Sequence, residues 1–289
     1  MLTNQNIVST NRNILLKRAL LNKKKKINLK KIPRPRFPNA TELFYRKQLI
    51  GIVKLIDAAL NKILLPKLPF LLKEIDIFRP DSISNNLIFD DFTVDLNAAI
   101  GNMSDYIDTN QQAPAILAQT VGTDISVFNN TKLNNTMRSV FGVDIFAQEP
   151  WLKSQLDVFA LQNVDLITDL SNQALFDLKG IVQRGLASGT GLETLTSQLH
   201  ERIGLTNRRA KLIARDQTAK LNGQLTELRQ TQLGVDSYTW LTAGDERVRP
   251  THEANDGEKF NWDDPPATGH PGSEVNCRCL AVPVLDKLL

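Results

Sequence analysis

Cysteine is almost missing from this chain: of 289 residues only Cys277 and Cys279 carry a thiol, and one residue separates them. A disulfide between such near neighbours would be strained, so the pair points to a reducing compartment or to a metal. Long apolar runs are missing too. The best stretch, Leu49 to Leu72, is broken by Lys54, Asp57, Lys62, Lys67, Pro66 and Pro69, so no membrane span is expected. The start of the chain lacks the apolar run and small-residue cleavage site of a signal peptide. There is no Gly-rich phosphate loop, no nucleophile elbow and no His-Glu-x-x-His helix, and without these signatures no turnover is expected.

Acid is nearly absent from the first fifty residues, where thirteen Lys or Arg face only Glu42. That is a net +12 against +4 for the whole chain, which leaves −8 for the remainder. From Lys17 to Arg36 ten cations follow one another without an acid: Lys17, Arg18, Lys23, Lys24, Lys25, Lys26, Lys30, Lys31, Arg34 and Arg36. Such a block repels itself and is expected to be a disordered arm until an anion neutralises it. Double-stranded DNA is the anion that fits a sequence-blind contact. No aromatic residue precedes Phe37, so base stacking is not indicated. An acidic protein surface is the alternative partner.

What is present is an ordinary globular interior, with 42% hydrophobic and 23% charged residues. Pro33, Pro35 and Pro38 close the arm. Beyond them Leu49, Ile52, Val53, Ile56, Leu60, Ile63 and Leu64 recur at helical spacing, and Pro66 and Pro69 are expected to stop that helix. From Asp81 to Pro150, clusters of Asn, Thr and Asp leave helix and strand undistinguished. Leu175, Leu178, Val182 and Leu186 form a second stripe ending near Gly189. Thr190 and Glu193 then open a short helix through Leu199, and a further helix is predicted over about Asn207 to Gln232, stopped by Gly234. The period then changes to two. Tyr238 to Leu241 and Leu280 to Leu285 read as strands around a loop-rich insertion. The expected class is α+β: a mostly helical body, a small C-terminal β module of two or three strands rich in loops, and the basic arm. The expected divisions are 1–38 for the arm, 39–159 for a largely helical region and 160–289 for the C-terminal domain.

The last fifty residues hold both cysteines and two of the three histidines. In an extended segment Cys277 and Cys279 share one face, and with His252 and His270 they complete an N2S2 set suited to zinc. The competing reading is that both thiols are small buried hydrophobes and both histidines satisfied polar groups. Arg247 and Arg249 alternate beside Asp245. They suit bidentate pairing with Asp245, Asp256, Asp263 or Asp264, or binding of phosphate.

Ile213-Ala214-Arg215 on a helix, then Trp240, Asp245-Glu246-Arg247-Val248-Arg249, His252, Asp256-Gly257, His270-Pro271 and Cys277-Arg278-Cys279 follow in a distinctive order. That ordered set resembles the phage Mu F-like minor head protein family, also called the phage head morphogenesis family, over roughly residues 160 to 285. On this resemblance Arg215, Trp240, Asp245, Arg247, Arg249, Gly257, Pro271 and Arg278 are the motif positions. The resemblance implies a virion protein at the portal vertex and capsid interior, made in the host cytoplasm, with portal and capsid proteins and packaged DNA as partners. The alternatives are a metal-dependent hydrolase or nuclease using His252, Glu253, His270 and the cysteines, or a toxin-like domain.

Overall fold

The computed structural model describes residues 33–76, 85–142 and 149–285. The basic positions from Lys17 to Lys31 lie outside the described residues, whereas Arg34 and Arg36 are described and exposed. In chain order the elements are α1 (Asn39–Ala59), a π turn (Leu60–Leu64), a 3-10 turn (Leu65–Lys67), α2 (Leu68–Asp76), α3 (Asn85–Asn110) and α4 (Pro114–Phe141). They continue with α5 (Leu152–Ala187), α6 (Leu192–Gln232), β1 (Ser237–Leu241), α7 (Pro250–Glu253), β2 (Lys259–Asn261) and β3 (Leu280–Pro283). The fold is therefore α+β, with helices making up most of the chain and a small antiparallel sheet near the C-terminus.

Two compact units arise from separated stretches of chain: Met1–Leu43 with Gln119–Phe159 and Arg215–Leu289, and Phe44–Ala118 with Ala160–Ala214. The second unit buries the α1 stripe of Leu49, Ile52, Val53 and Ile56 and the α5 stripe of Leu175, Leu178, Val182 and Leu186. Inside it Tyr45 donates its hydroxyl to Asn163 at 2.8 Å, so this polar pair in an apolar setting is satisfied. Helix α5 ends with two backbone bonds that fold back on it, from Gly189 to Leu186 and from Thr190 to Gly185. Gly189 holds φ at 65°, a left-handed value glycine adopts without steric cost.

Two expectations need correction, and one open reading is resolved. Pro66 and Pro69 do not stop the first helix, because the backbone changes pitch around them. A π turn carries the Leu65 N–H back to the Leu60 carbonyl. The tighter 3-10 turn then gives the Leu65 carbonyl the Leu68 N–H as donor, in place of the N–H that Pro69 lacks. The segment from Asn85 to Phe141 is two long helices, although its Asn and Thr content favours turns. The short helix after Thr190 and the helix from Asn207 are one continuous element of 41 residues.

The first unit contains the sheet, in the order β2-β1-β3, with both pairings antiparallel. Tyr238 stands opposite both Phe260 and Pro283, and Trp240 opposite Ala281. The period-two pattern sends Tyr238 and Trp240 to the same face, where they form a small core with Trp262, Cys277, Cys279 and Ala281. Helix α6 supports this core through Gln230, which is fully buried. Its amide donates to the Ala281 carbonyl at 3.1 Å, and its oxygen accepts from the Trp262 indole at 3.3 Å. The same helix ends at Gly234, with the Val235 N–H bonded to the Gln230 carbonyl and φ at 78°. Among the described residues no helix is long and apolar enough to cross a membrane.

A candidate metal and anion site in the C-terminal module

The loop between β1 and β3 is tied to helix α6 at two glycines. A side chain on Gly223 would sit 2.5 Å from the Pro271 carbonyl, and one on Gly272 would sit 2.6 Å from the Ala219 carbonyl. Only glycines let the Pro271-Gly272 turn approach the helix this closely, and Gly272 also needs φ at 93°. The turn then delivers its backbone to the next residues: the Gly272 N–H donates to the Cys277 sulfur at 3.3 Å. Asn276 takes a left-handed φ of 62°, and its N–H reaches Asp216 on α6 at 3.3 Å. Both thiols are thereby turned inward.

His252 lies on α7, whose first turn is preset by Pro250. It is buried, and its ring meets the edge of Trp240 at a centroid distance of 5.4 Å. Its Nδ1 stands 3.6 Å from the Cys277 sulfur and 3.5 Å from the Cys279 sulfur. Its Nε2 stands 2.9 Å from a Glu274 carboxylate oxygen. A carboxylate only accepts, so Nε2 donates to Glu274, and Nδ1 is the ring nitrogen that faces the two sulfurs. The Cys277 thiol is held below its ordinary value, first by the hydrogen bond from Cys279, against burial. Cys279 is pushed up by that same bond, then by burial and by the charge on Cys277.

The structure therefore groups His252, Cys277 and Cys279, and their ligand atoms all lie within 4.8 Å of one another. His270 does not belong to that group. Its Nδ1 is 2.9 Å from the Tyr238 hydroxyl, and its ring packs 4.9 Å from that of Trp262. The N2S2 set read from the sequence is thus an N1S2 set in space, because Tyr238 and Trp262 hold the second imidazole elsewhere in the module. Glu253, the alternative general base, is exposed. The acid beside His252 is Glu274, which sequence reasoning missed. One signal pointed to it: Glu274 is the only acid between Asp264 and Cys277, and an inward-facing imidazole needs an acceptor for its second nitrogen.

The arginines form a collar around the same place. Arg278 sends Nη2 to both carboxylate oxygens of Asp245, at 2.6 and 2.7 Å, and Arg247 adds a third contact at 3.1 Å. Arg249 pairs with Glu274 at 2.9 Å and with the Val275 carbonyl at 2.6 Å. Asp256 accepts the Thr242 N–H at 2.7 Å, and the Gly257 N–H donates to the Trp240 carbonyl, turning the chain with φ at 82°. Arg215, Arg247, Arg249 and Arg278 line a cavity of about 260 Å³ together with His252 and both cysteines.

These ion pairs make a pH prediction. The Asp245 carboxyl is lowered to about 2, chiefly by its hydrogen bonds from Arg278, with those from Arg247 adding to them and burial opposing. A carboxylate lowered in this way contributes stability that is complete above the ordinary aspartate value of about 3.9 and is lost as pH falls through about 2. Asp245→Asn is expected to lower stability at neutral pH, with its deficit against the parent chain closing below pH 4. Urea melts at a series of pH values check this, and a deficit that stays constant down to pH about 2 discards it.

Residues 177–282 match the family model described as Phage Mu protein F like protein. An uncharacterized protein of Haemophilus influenzae is 34% identical over 162 residues, covering 55% of this chain and 36% of that relative. The minor head protein GP7 of Bacillus phage SPP1 is 26% identical over 144 residues, covering 45% of this chain and 44% of that protein. The chain thus spans less than half the length of these curated relatives. No solved structure matches it.

Proposed function

We propose that this chain, a member of the phage Mu F-like family through residues 177–282, is a minor head protein of a tailed phage or prophage. In this reading it acts in head morphogenesis by association with the portal and the capsid interior, without turnover of a substrate. The observation that carries it is the position of the family match, since residues 177–282 take in Arg215, the sheet, the arginine collar and the His252, Cys277 and Cys279 group. The relative named as a minor head protein supports the same role.

Buried arginine and glutamine bonds, glycine-to-backbone contacts and paired carboxylates make the module a rigid platform. Rigidity of that kind suits a part that presents a fixed surface to an assembly. The basic arm supplies the second contact: ten cations without an acid reach packaged DNA through its phosphates, whatever its sequence. Partner capture tests the assembly role. The tagged chain, co-expressed with the portal and capsid proteins of the same phage or prophage, is expected to retain portal protein on the affinity resin and through gel filtration. Retention of none of those head proteins would overturn the role.

A further inference from the structure

We propose that the C-terminal module holds one zinc ion on His252 Nδ1, Cys277 Sγ and Cys279 Sγ, with Glu274 as the residue that orients the imidazole. Distance is the first argument. Zinc lies about 2.3 Å from a thiolate sulfur and about 2.0–2.1 Å from an imidazole nitrogen, so tetrahedral angles separate sulfur from nitrogen by about 3.6 Å. The Nδ1 to sulfur distances are 3.6 and 3.5 Å. Both nitrogen–sulfur distances are thus those of ligands to one ion, and all three ligand atoms lie within 4.8 Å of one another.

The surroundings of the three ligands make the second argument. Nδ1 is the ring nitrogen that faces the sulfurs, and Glu274 accepts the hydrogen bond of the other, Nε2, at 2.9 Å. A carboxylate behind a ligating histidine fixes its tautomer and raises its basicity. A backbone donor also reaches one of the sulfurs. The Gly272 N–H points at Cys277. The Trp240 indole N–H is buried in the same small core as Cys279 and has no hydrogen-bond partner. N–H groups around sulfur suit a metal-bound thiolate. Two thiolates neutralise a divalent ion, so the buried group carries no net charge, and any thiol proton goes to solvent when the metal enters. Soft sulfur with imidazole in a tetrahedral arrangement selects zinc over magnesium or calcium.

The third argument is what the loop lacks. Between β1 and β3 the chain has short elements and few apolar side chains, so a cross-link from α7 to the turn before β3 replaces core burial there. All three ligands line the arginine cavity, which leaves water in the fourth position. The inference stands apart from the head-protein role, because it concerns what the module binds and not what it assembles with.

The test uses the full chain, purified without chelator and dialysed against metal-free buffer. Mass spectrometry of the elements is expected to find about one zinc per chain. Replacement by cobalt(II) is expected to give the intense d–d bands of a tetrahedral ion and a near-ultraviolet thiolate charge-transfer band. That band should fall to about half in Cys277→Ser or Cys279→Ser, since each removes one of the two sulfurs. Glu274→Gln is expected to keep the stoichiometry at saturating zinc but to weaken affinity about 10–100-fold against a chromogenic chelator, a readout that holds even if the serine variants fail to fold. His270→Ala is expected to bind zinc as the parent does. The proposal is overturned if the parent chain holds no zinc and takes up no cobalt. It is equally overturned if the Cys277→Ser/Cys279→Ser double variant keeps its metal, or if Glu274→Gln leaves zinc affinity unchanged.

Discussion

Arg229→Met is expected to destabilise the unit that contains the sheet by about 3–5 kcal/mol, the range seen when one partner of a buried ion pair is removed. Arg229 is fully buried on α6. It donates Nε and Nη2 to the two carboxylate oxygens of Glu149 at 2.7 and 2.8 Å, Nη1 to Asn129 Oδ1 at 2.7 Å and to the Ser126 carbonyl at 3.2 Å, and Nη2 to the Ser126 hydroxyl at 3.0 Å. Glu149 itself is only 8% exposed. Methionine fills similar volume but leaves the Asn129 amide oxygen without a donor and the carboxylate with only a 3.4 Å bond from Asn130 Nδ2, and the unpaired charge dominates the cost. Because all three tryptophans, Trp151, Trp240 and Trp262, lie in this unit, urea unfolding followed by tryptophan fluorescence reports on it alone. A loss below about 1 kcal/mol would place Arg229 among ordinary surface-strength pairs. Adding Glu149→Gln to Arg229→Met is expected to recover part of the loss, since it removes the orphaned charge.

That network also explains which parts of the fold were legible in the sequence. The helical spacing of Ala210, Ile213, Ala214, Gln217, Leu221, Leu225 and Leu228 is a local signal for the buried face of α6, and all of them but the half-buried Gln217 and Leu228 are buried there. Arg229 and Gln230 are just as buried, but their partners lie 80 to 103 residues away for Arg229 and 32 and 51 away for Gln230, where no local pattern reaches. The same reason hid the helix around Asn129. Its side chain donates to Asn222 Oδ1 at 3.0 Å and to the Thr226 hydroxyl at 2.7 Å, bonds that offset the weak helix preference of asparagine. At the candidate site, the Cys277 and Cys279 spacing put both sulfurs on one side, and His252 joined them. The place of His270 was not legible, because a histidine's partner is set by which strand it meets, here Tyr238 on β1. The π turn near Pro66 was equally hidden, since a proline marks a missing donor without saying how the backbone compensates.

The basic arm carries the other large effect. Each phosphate neutralised on duplex DNA contributes about −0.9 to the log–log dependence of affinity on salt. Ten contacts from Lys17 to Arg36 give a slope of about −9, or a loss of about 10⁵-fold between 50 and 200 mM salt. A chain beginning at Pro33 keeps every described residue and the exposed Arg34 and Arg36, so its fold is expected to be unchanged by circular dichroism. Its slope is expected to shrink to about −2, because two cations of the ten remain. Fluorescence anisotropy with labelled duplexes of unrelated sequence checks both numbers, and the affinities for those duplexes are expected to agree, since phosphate contacts carry no base information. The truncated chain also carries a net charge of −5, because nine cations and no acid leave with residues 1–32, so the remaining protein as a whole repels DNA. A truncated chain that binds duplex as tightly and with as steep a salt dependence as the parent would assign the DNA contact to another surface. It would leave the arm to an acidic protein partner.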